Sequence, residues 1–195
     1  NYYIFREFTD KLLPIIAYKF FNEIFMSLSQ ICVTERCTLR CKKCAHGCYN
    51  VPITKDDMTL EQVKKSADIF FSKVDYIQEF VLIGGEPLLY KYLTDAVEYI
   101  GSKYRNQMSV FSITSNGTIT PSKDLLEKCK EYGVLFRISN YSGTISKLEL
   151  QYEKLRKLFI TNNVGKLEYD NANIDINPKA LIPIPNKAVA LFPNF

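Results

Sequence analysis

Four short apolar runs, each followed by an amphipathic segment, are the feature of this sequence that most limits its fold. The runs lie at 27–34, 79–83, 109–113 and 134–138. The segments after them repeat apolar residues three and four positions apart, as helices with one buried face do. Strands that alternate with such helices form a parallel sheet with right-handed crossovers. The sequence therefore predicts an α/β fold with parallel strands.

Local signals indicate where the helices begin and end. Thr59-Leu-Glu-Gln62 has the spacing of a capping box, which predicts a helix start. Pro121 and Gly133 bracket the third helix, in the usual order of proline first and glycine last. Three of the helices are expected to bury these residues: Val63, Ala67, Phe70 and Val74; Leu89, Leu93, Ala96, Val97 and Ile100; Leu148, Tyr152, Leu155 and Phe159.

The repeat divides the chain of 195 residues into three parts. Residues 1–26 are expected to be helical and to cover or flank the domain. Residues 27–164 form the domain itself. Residues 165–195 hold four of the eight prolines between positions 178 and 193, which predicts an irregular tail with room for short strands at 173–177 and 188–192.

Charge and cysteine content narrow the class of protein. The formal net charge is +4, and lysines are interspersed with acids, which argues against a nucleic-acid-binding surface. The longest apolar stretch, 12–28, is broken by Lys19, Asn22 and Glu23, which argues against a membrane span. The six cysteines cluster and follow no visible secretory leader. That pattern favours a reducing, cytoplasmic compartment.

Three cysteines form a C-x3-C-x2-C motif directly after the first predicted strand. Cys37, Cys41 and Cys44 could bind one soft metal centre, and three thiolates suit an iron–sulfur cubane with one iron left open. By spacing alone, two alternatives stay open. The first is zinc, with Cys48 or His46 as the fourth ligand. The second is a cysteine-lined face of a buried helix.

The other two cysteines and the single histidine carry no assigned chemistry. Cys32 lies in the first predicted strand and Cys129 on a predicted helix, so both are expected to be small buried residues. His46 is interpreted as a local hydrogen-bonding group.

Polar motifs accompany the ends of the other three strands. Gly84-Gly85-Glu86 follows the second, Ser115-Asn116 the third, and Arg137 and Ser139 belong to the fourth. The carboxyl ends of parallel strands share one edge, where the sites of such folds lie. Each motif alone has a structural explanation, namely a tight turn or, for Arg137, an ion pair with an acid. Their common position favours a cluster over zinc.

With these motifs, residues 27–164 resemble the core of the radical S-adenosylmethionine (radical SAM) superfamily. The branch with cofactor-maturation and peptide- or sugar-modifying enzymes is the most similar. The resemblance implies a partial (β/α) barrel, a [4Fe–4S] cluster on Cys37, Cys41 and Cys44, and S-adenosylmethionine (AdoMet) on the open iron. It also implies an AdoMet-binding set: Gly84, Gly85 and Glu86 at the methionine ammonium, Ser115 and Asn116 at the ribose, and Arg137 or Ser139 at the carboxylate or ribose.

The implied reaction is reductive cleavage of AdoMet to a 5′-deoxyadenosyl radical. This radical would abstract hydrogen from an unknown peptide, sugar or small-molecule substrate, with an electron donor such as flavodoxin or ferredoxin.

The sequence departs from the family pattern at Lys43, where many members have an aromatic residue, and in having no cysteine after Cys129. No fifth or sixth strand–helix unit is recognisable after residue 164, so the barrel is expected to be incomplete. The alternative is a truncated or degenerate, non-catalytic module that binds an iron–sulfur cluster or zinc.

Overall fold

One parallel sheet of five strands organises the part of the chain that the structure describes. The computed structural model describes residues 12–41, 44, 46–48, 57–143, 145–164 and 167–171. The strands lie side by side in chain order, and every neighbouring pair is parallel. They are β1 (Phe25–Cys32), β2 (Tyr76–Ile83), β3 (Met108–Ser115), β4 (Leu135–Asn140) and β5 (Leu167–Asn171). This order is that of a (β/α) barrel, and it confirms the predicted α/β fold and partial barrel.

Helices connect these strands. After α1 (Leu13–Ile16) comes one π-helical turn (Ala17–Phe21). The crossover helices are α2 (Leu60–Phe71), α3 (Leu93–Tyr104), α4 (Lys123–Glu131) and α5 (Lys147–Thr161). Short 3-10 turns lie, among other places, at Pro87–Leu89 and Arg105–Gln107. Within the described ranges, no helix combines the length and hydropathy that a bilayer crossing requires.

The core lies between one face of the sheet and helices α2–α5. Phe80, Phe111 and Phe136 occupy the centres of three neighbouring strands and are fully buried. The Phe80 ring lies 5.4 Å from the ring of Phe70 and 5.0 Å from that of Phe71, both on α2. Each such side chain contributes roughly 2–3 kcal/mol when it is removed from water. This packing fixes the helices on one side and leaves the other side of the sheet for polar groups.

The predicted helix faces agree with the structure, with two local differences. Val63, Ala67, Phe70, Leu93, Ala96, Val97, Ile100, Leu148, Tyr152, Leu155 and Phe159 are all buried. Val74 is buried too but lies beyond the end of α2, and Leu89 is half-buried in a 3-10 turn before α3. α4 is capped by Ser122, whose hydroxyl accepts from Leu125 N, so Pro121 lies one residue before the cap.

The strand limits differ more from the prediction. β1 begins at Phe25 and ends at Cys32, because the carbonyl of Thr34 turns to the backbone of Gly85. The predicted helical stretch to residue 26 ends instead at Phe21, since Asn22 adopts the left-handed conformation, with φ 56°.

A fifth strand was not predicted at Leu167–Asn171. Its backbone pairs with β4 from Phe136 to Asn140. The strand conformation of this short segment depends more on pairing with β4 than on the propensities of its own residues. The short strands predicted at 173–177 and 188–192 lie outside the described residues, and the division of the chain at 27 and 164 stays a prediction.

The N-terminal helical segment lies at the amino ends of β1 and β2. It borders an open groove of about 400 Å³ whose lining includes Phe21, Phe25 and Tyr76. Asp75 Oδ2 accepts a hydrogen bond from Ile24 N at 2.8 Å, which ties this segment to the start of β2. The described part of the segment thus flanks the sheet at the edge opposite the cysteine loop.

The capping box on α2 gives a testable stability prediction. Thr59 Oγ1 accepts from Gln62 N at 3.2 Å, and Thr59 N donates to Gln62 Oε1 at 2.7 Å. We expect Thr59→Ala to lower the free energy of unfolding by about 1 kcal/mol, measured by urea denaturation. Ser146 is the matched control, because it caps α5 without a side-chain hydrogen bond. Equal losses in Thr59→Ala and Ser146→Ala would contradict the cap.

Candidate functional site

The cysteine-rich loop leaves the carboxyl end of β1. All six cysteines are free thiols. Cys41 and Cys48 are buried, whereas Cys37 and Cys44 are half-buried. The three cysteines of the motif therefore lie together on one partly enclosed loop at the edge where the sequence placed the site.

The cysteines outside this loop differ from one another. Cys129 on α4 is fully buried, as predicted. Cys32 is only half-buried at the end of β1, and its thiol donates to Thr34 O at 3.5 Å. His46 Nε2 lies 3.4 Å from Gln30 Nε2, so the histidine makes a local contact with β1.

The paired glycines after β2 receive the cysteine loop. Gly85 N donates to Thr34 O and Glu86 N donates to Arg36 O, both at 2.8 Å. A Cβ on Gly85 would lie 2.4 Å from Arg36 O and 2.8 Å from Cys37 Cβ, and one on Gly84 would lie 2.5 Å from Thr34 O. The resemblance assigned both glycines to AdoMet binding. The structure shows in addition that the absence of a side chain at both positions lets the cysteine loop approach the backbone closely.

Glu86 joins the ends of β2 and β3. Its carboxylate is fully buried and accepts from Leu88 N at 3.1 Å, Ser115 Oγ at 2.8 Å and Asn116 N at 2.8 Å. Burial raises its pKa, and the three hydrogen bonds oppose that shift. The resemblance assigned Glu86 to the methionine ammonium of AdoMet, and that role stays a prediction. In the structure, its buried carboxylate accepts from donors of the same chain.

The turn after β3 reaches the cysteine loop directly. Asn116 Nδ2 donates to Thr38 Oγ1 at 3.0 Å and to Cys37 Sγ at 3.6 Å. The hydroxyls of Thr38 and Thr118 lie 2.6 Å apart. Asn116 is thus a hydrogen-bond donor to one of the three motif thiols. Thr38 and Thr118 were missed by the sequence reasoning, because hydroxyls in loops carry no pattern of their own.

Tyr152 on α5 contacts the Ser115–Asn116 turn through its hydroxyl. Its hydroxyl lies 3.1 Å from the carbonyl oxygens of Asn116 and Ser139, and it accepts from Tyr141 N at 3.1 Å. The sequence placed Tyr152 on the buried face of a helix, and the hydroxyl adds a contact that periodicity does not reveal.

Arg137 on β4 forms an ion pair with Glu79 on β2. Arg137 Nη1 lies 2.5 Å from Glu79 Oε1, which also accepts from Ser112 Oγ at 2.7 Å. Both charged side chains are 22% exposed. The ion pair with an acid, which the sequence offered as a structural explanation for Arg137, is present in the structure, and the role of Arg137 at AdoMet stays a prediction. Ser139 is buried at the end of β4.

The thiols of the loop have shifted acidities. Burial raises the pKa of Cys37, partly offset by N–H donors from Leu39, at 3.4 Å, and Asn116. Burial and the neighbouring sulfurs also raise the pKa of Cys41. A hydrogen bond from the Cys48 thiol lowers the pKa of Cys44. The loop thus contains one thiol that ionises readily, and metal binding requires thiolates.

This donor set fits an iron–sulfur cubane. Three thiols on one loop match the three cysteine-bound irons, and N–H donors to a ligating sulfur are a feature of such clusters. Among the described side chains, no three of the His, Cys, Asp or Glu type gather around one point for a single ion. A cubane does not require that, because each thiolate binds a different iron.

The contact at Gly85 predicts a strong effect of a single methyl group. We expect Gly85→Ala to lower the free energy of unfolding of the metal-free protein by about 1–3 kcal/mol, because the neighbouring backbone must move. Gly143→Ala is the control, since a Cβ there meets nothing within 4 Å. Urea denaturation measures both. A Gly85→Ala variant as stable as Gly143→Ala would contradict the close contact.

The buried carboxylate gives a second prediction. Glu86→Gln replaces one accepting oxygen by an NH2 group, which leaves an N–H or O–H donor without a partner. We expect a loss of about 1–3 kcal/mol in the free energy of unfolding. The exposed Glu127, whose carboxylate lies 3.7 Å from Lys123 Nζ, provides the control Glu127→Gln. Equal effects of the two substitutions would show that Glu86 does not join the two strand ends.

Comparison with known proteins places these residues in a family. A family model described as the radical SAM superfamily matches residues 31–145. A GTP 3′,8-cyclase of Rhizobium etli (strain CIAT 652) is 31% identical over 162 residues, 83% of this chain and 43% of the relative. A GTP 3′,8-cyclase of Rhizobium leguminosarum bv. trifolii (strain WSM2304) is 30% identical over 163 residues, with the same two coverages of 83% and 43%. The chain thus spans less than half the length of these relatives.

A solved structure shows the same fold. Native anSMEcpe with bound AdoMet superposes with a TM-score of 0.51 at 18% identity, over 73% of this chain and 43% of that chain. The family match covers the cysteine loop, the Gly84–Glu86 turn, the Ser115–Asn116 turn and β4. From this match over more than half of its residues, we conclude that the chain belongs to the radical SAM superfamily.

Proposed function

We propose that this chain binds a [4Fe–4S] cluster through Cys37, Cys41 and Cys44, and AdoMet beside it, as the core of an enzyme that cleaves AdoMet reductively. The superfamily is one of enzymes that use both groups. One observation carries the proposal: the cysteine loop, the Gly84–Glu86 turn and the Ser115–Asn116 turn are hydrogen-bonded to one another at one edge of the sheet.

Different residues of the site hold the [4Fe–4S] cluster and AdoMet. When bound, the cluster supplies the single electron for cleavage of AdoMet to a 5′-deoxyadenosyl radical. The three thiolates anchor it, and the N–H groups of Leu39 and Asn116 stabilise the charge on Cys37. The burial of Cys41 keeps water from that side of the centre.

The predicted AdoMet contacts differ in how accessible they are. Glu86, Ser115 and Asn116 are 0%, 1% and 7% exposed, and their polar groups bind one another. Gly85, by contrast, is half-buried. We therefore place the methionine part of AdoMet against the backbone of Gly84–Gly85. Glu86, Ser115 and Asn116 hold that backbone in position.

The substrate binds over the polar face of the sheet. Glu79, Ser112 and Arg137 form a hydrogen-bonded group there, and Ser139 follows on the same strand as Arg137. The name of the relatives, GTP 3′,8-cyclase, favours a small molecule over a peptide or a sugar as the substrate. An external donor such as flavodoxin or ferredoxin supplies the electron, and a cytoplasmic location accords with this chemistry.

The direct test is anaerobic reconstitution with iron and sulfide, followed by dithionite and AdoMet. We expect about four irons per chain, with release of 5′-deoxyadenosine. Cys41→Ala abolishes the cluster, whereas Cys129→Ala retains it, because Cys129 is buried on α4. A colourless protein that binds zinc would contradict the proposal and support a non-catalytic module. Loss of the cluster in Cys129→Ala would overturn the choice of ligands.

A further inference from the structure

The two ends of the cysteine loop are joined by side chains. The loop begins after β1, near Thr34, and its far end is Asp57, shortly before α2. Arg36 holds Asp57 through Nε–Oδ1 at 3.0 Å and Nη2–Oδ2 at 2.5 Å. Thr34 Oγ1 donates to Asp57 Oδ1 at 2.5 Å and accepts from Arg36 N at 3.1 Å. Both carboxylate oxygens of Asp57 therefore accept from the other end of the loop.

Arg36 is also fixed to the turn after β2. Its Nη2 donates to Leu89 O at 2.5 Å, and its carbonyl accepts from Glu86 N at 2.8 Å. One residue thus connects the start of the loop, its end and the Gly84–Glu86 turn. Arg36 directly precedes Cys37, so the contacts that fix Arg36 lie next to the first cysteine of the motif.

The pair is partly removed from solvent. The Asp57 side chain is 17% exposed and that of Arg36 is 36% exposed. Burial disfavours the ionised carboxylate, but the hydrogen bonds from Arg36 and Thr34 outweigh that effect and lower the pKa of Asp57. Both partners are therefore charged at neutral pH.

Because Arg36 and Asp57 already hold the two ends of the cysteine loop together, the loop loses less conformational entropy when a metal centre binds. The stretch 37–56 connects Arg36 to Asp57 along the chain, and bringing the ends of such a stretch together costs conformational entropy. When the ends are already held, this entropy is lost during folding. It therefore does not reduce the free energy of cluster binding. The fork of the guanidinium fixes direction as well as distance, which a lysine ammonium does not.

We propose that Arg36 and Asp57 are positioning residues for the cluster, which set where Cys37 lies relative to Asn116 Nδ2 and so control cluster retention and reduction potential. The proposal rests on the proposed function above. Hydrogen bonds to ligating sulfurs stabilise the more negative, reduced cluster. Loosening the Asn116–Cys37 contact therefore shifts the potential to more negative values.

The test compares Arg36→Lys and Asp57→Asn with a control on another acid. Asp68 on α2 likewise accepts from several donors, among them Tyr99 at 2.9 Å and Lys103 at 3.1 Å, but it lies between helices. All proteins are reconstituted with iron and sulfide. Iron loss to a chelator, the midpoint potential from EPR-monitored titration, and the unfolding of the metal-free protein are then measured.

We expect Arg36→Lys and Asp57→Asn to lose iron about tenfold faster than the wild type, with a more negative midpoint potential. Asp68→Asn keeps the wild-type rate and potential even where it lowers folding stability. The double variant Arg36→Lys/Asp57→Asn is no worse than either single variant, because both remove one interaction. Where a single variant fails to fold, Thr34→Val removes only the hydroxyl and gives a smaller shift in the same direction.

Two failures can be told apart. A wild-type chain that binds no cluster sinks the proposed function. A wild-type chain that binds the cluster, with the Arg36 and Asp57 variants at the wild-type potential and rate of iron loss, overturns the positioning role and leaves the proposed function standing. The second result holds even if the variants are less stable, since a purely structural pair would have that effect alone.

Discussion

The close contact between Gly85 and the backbone around Arg36 is the constraint on which the site depends. Two hydrogen bonds of 2.8 Å join the Gly85–Glu86 turn to Thr34 and Arg36, and no side chain larger than hydrogen fits between them. This contact brings the first cysteine of the loop to the edge where β2 and β3 end. The buried carboxylate of Glu86 extends it to Asn116, whose amide reaches the sulfur of Cys37.

The site is therefore a chain of contacts within the protein, on which a bound group would depend. Glu86 and Asn116 are buried and hydrogen-bonded to neighbouring groups, so we propose that they hold the surfaces that a cofactor would touch. The ion pair of Arg36 and Asp57 does the same for the ends of the loop. Such supporting contacts decide how tightly a metal centre is held and at what potential it works.

Much of this arrangement follows from local sequence. Hydrophobic periodicity located the strands and helices, and the topology of parallel strands placed the motifs at one edge. Partners distant in sequence could not be located in this way. Arg137 pairs with Glu79, and Arg36 with Asp57, through contacts that only the folded sheet creates. The sequence located the paired glycines at a strand end, but it could not show that the backbone of Arg36 lies against Gly85. β5 was missed because its five residues depend on pairing with β4.

If Cys37, Cys41 and Cys44 hold three irons of a cubane, its fourth iron is free to bind AdoMet. Mössbauer spectroscopy of the chain reconstituted with 57Fe, recorded before and after addition of AdoMet, tests it most directly. We expect the signal of one iron per cluster to change on addition of AdoMet, while the signals of the other three stay the same. Four irons that remain equivalent and unaffected by AdoMet would contradict it.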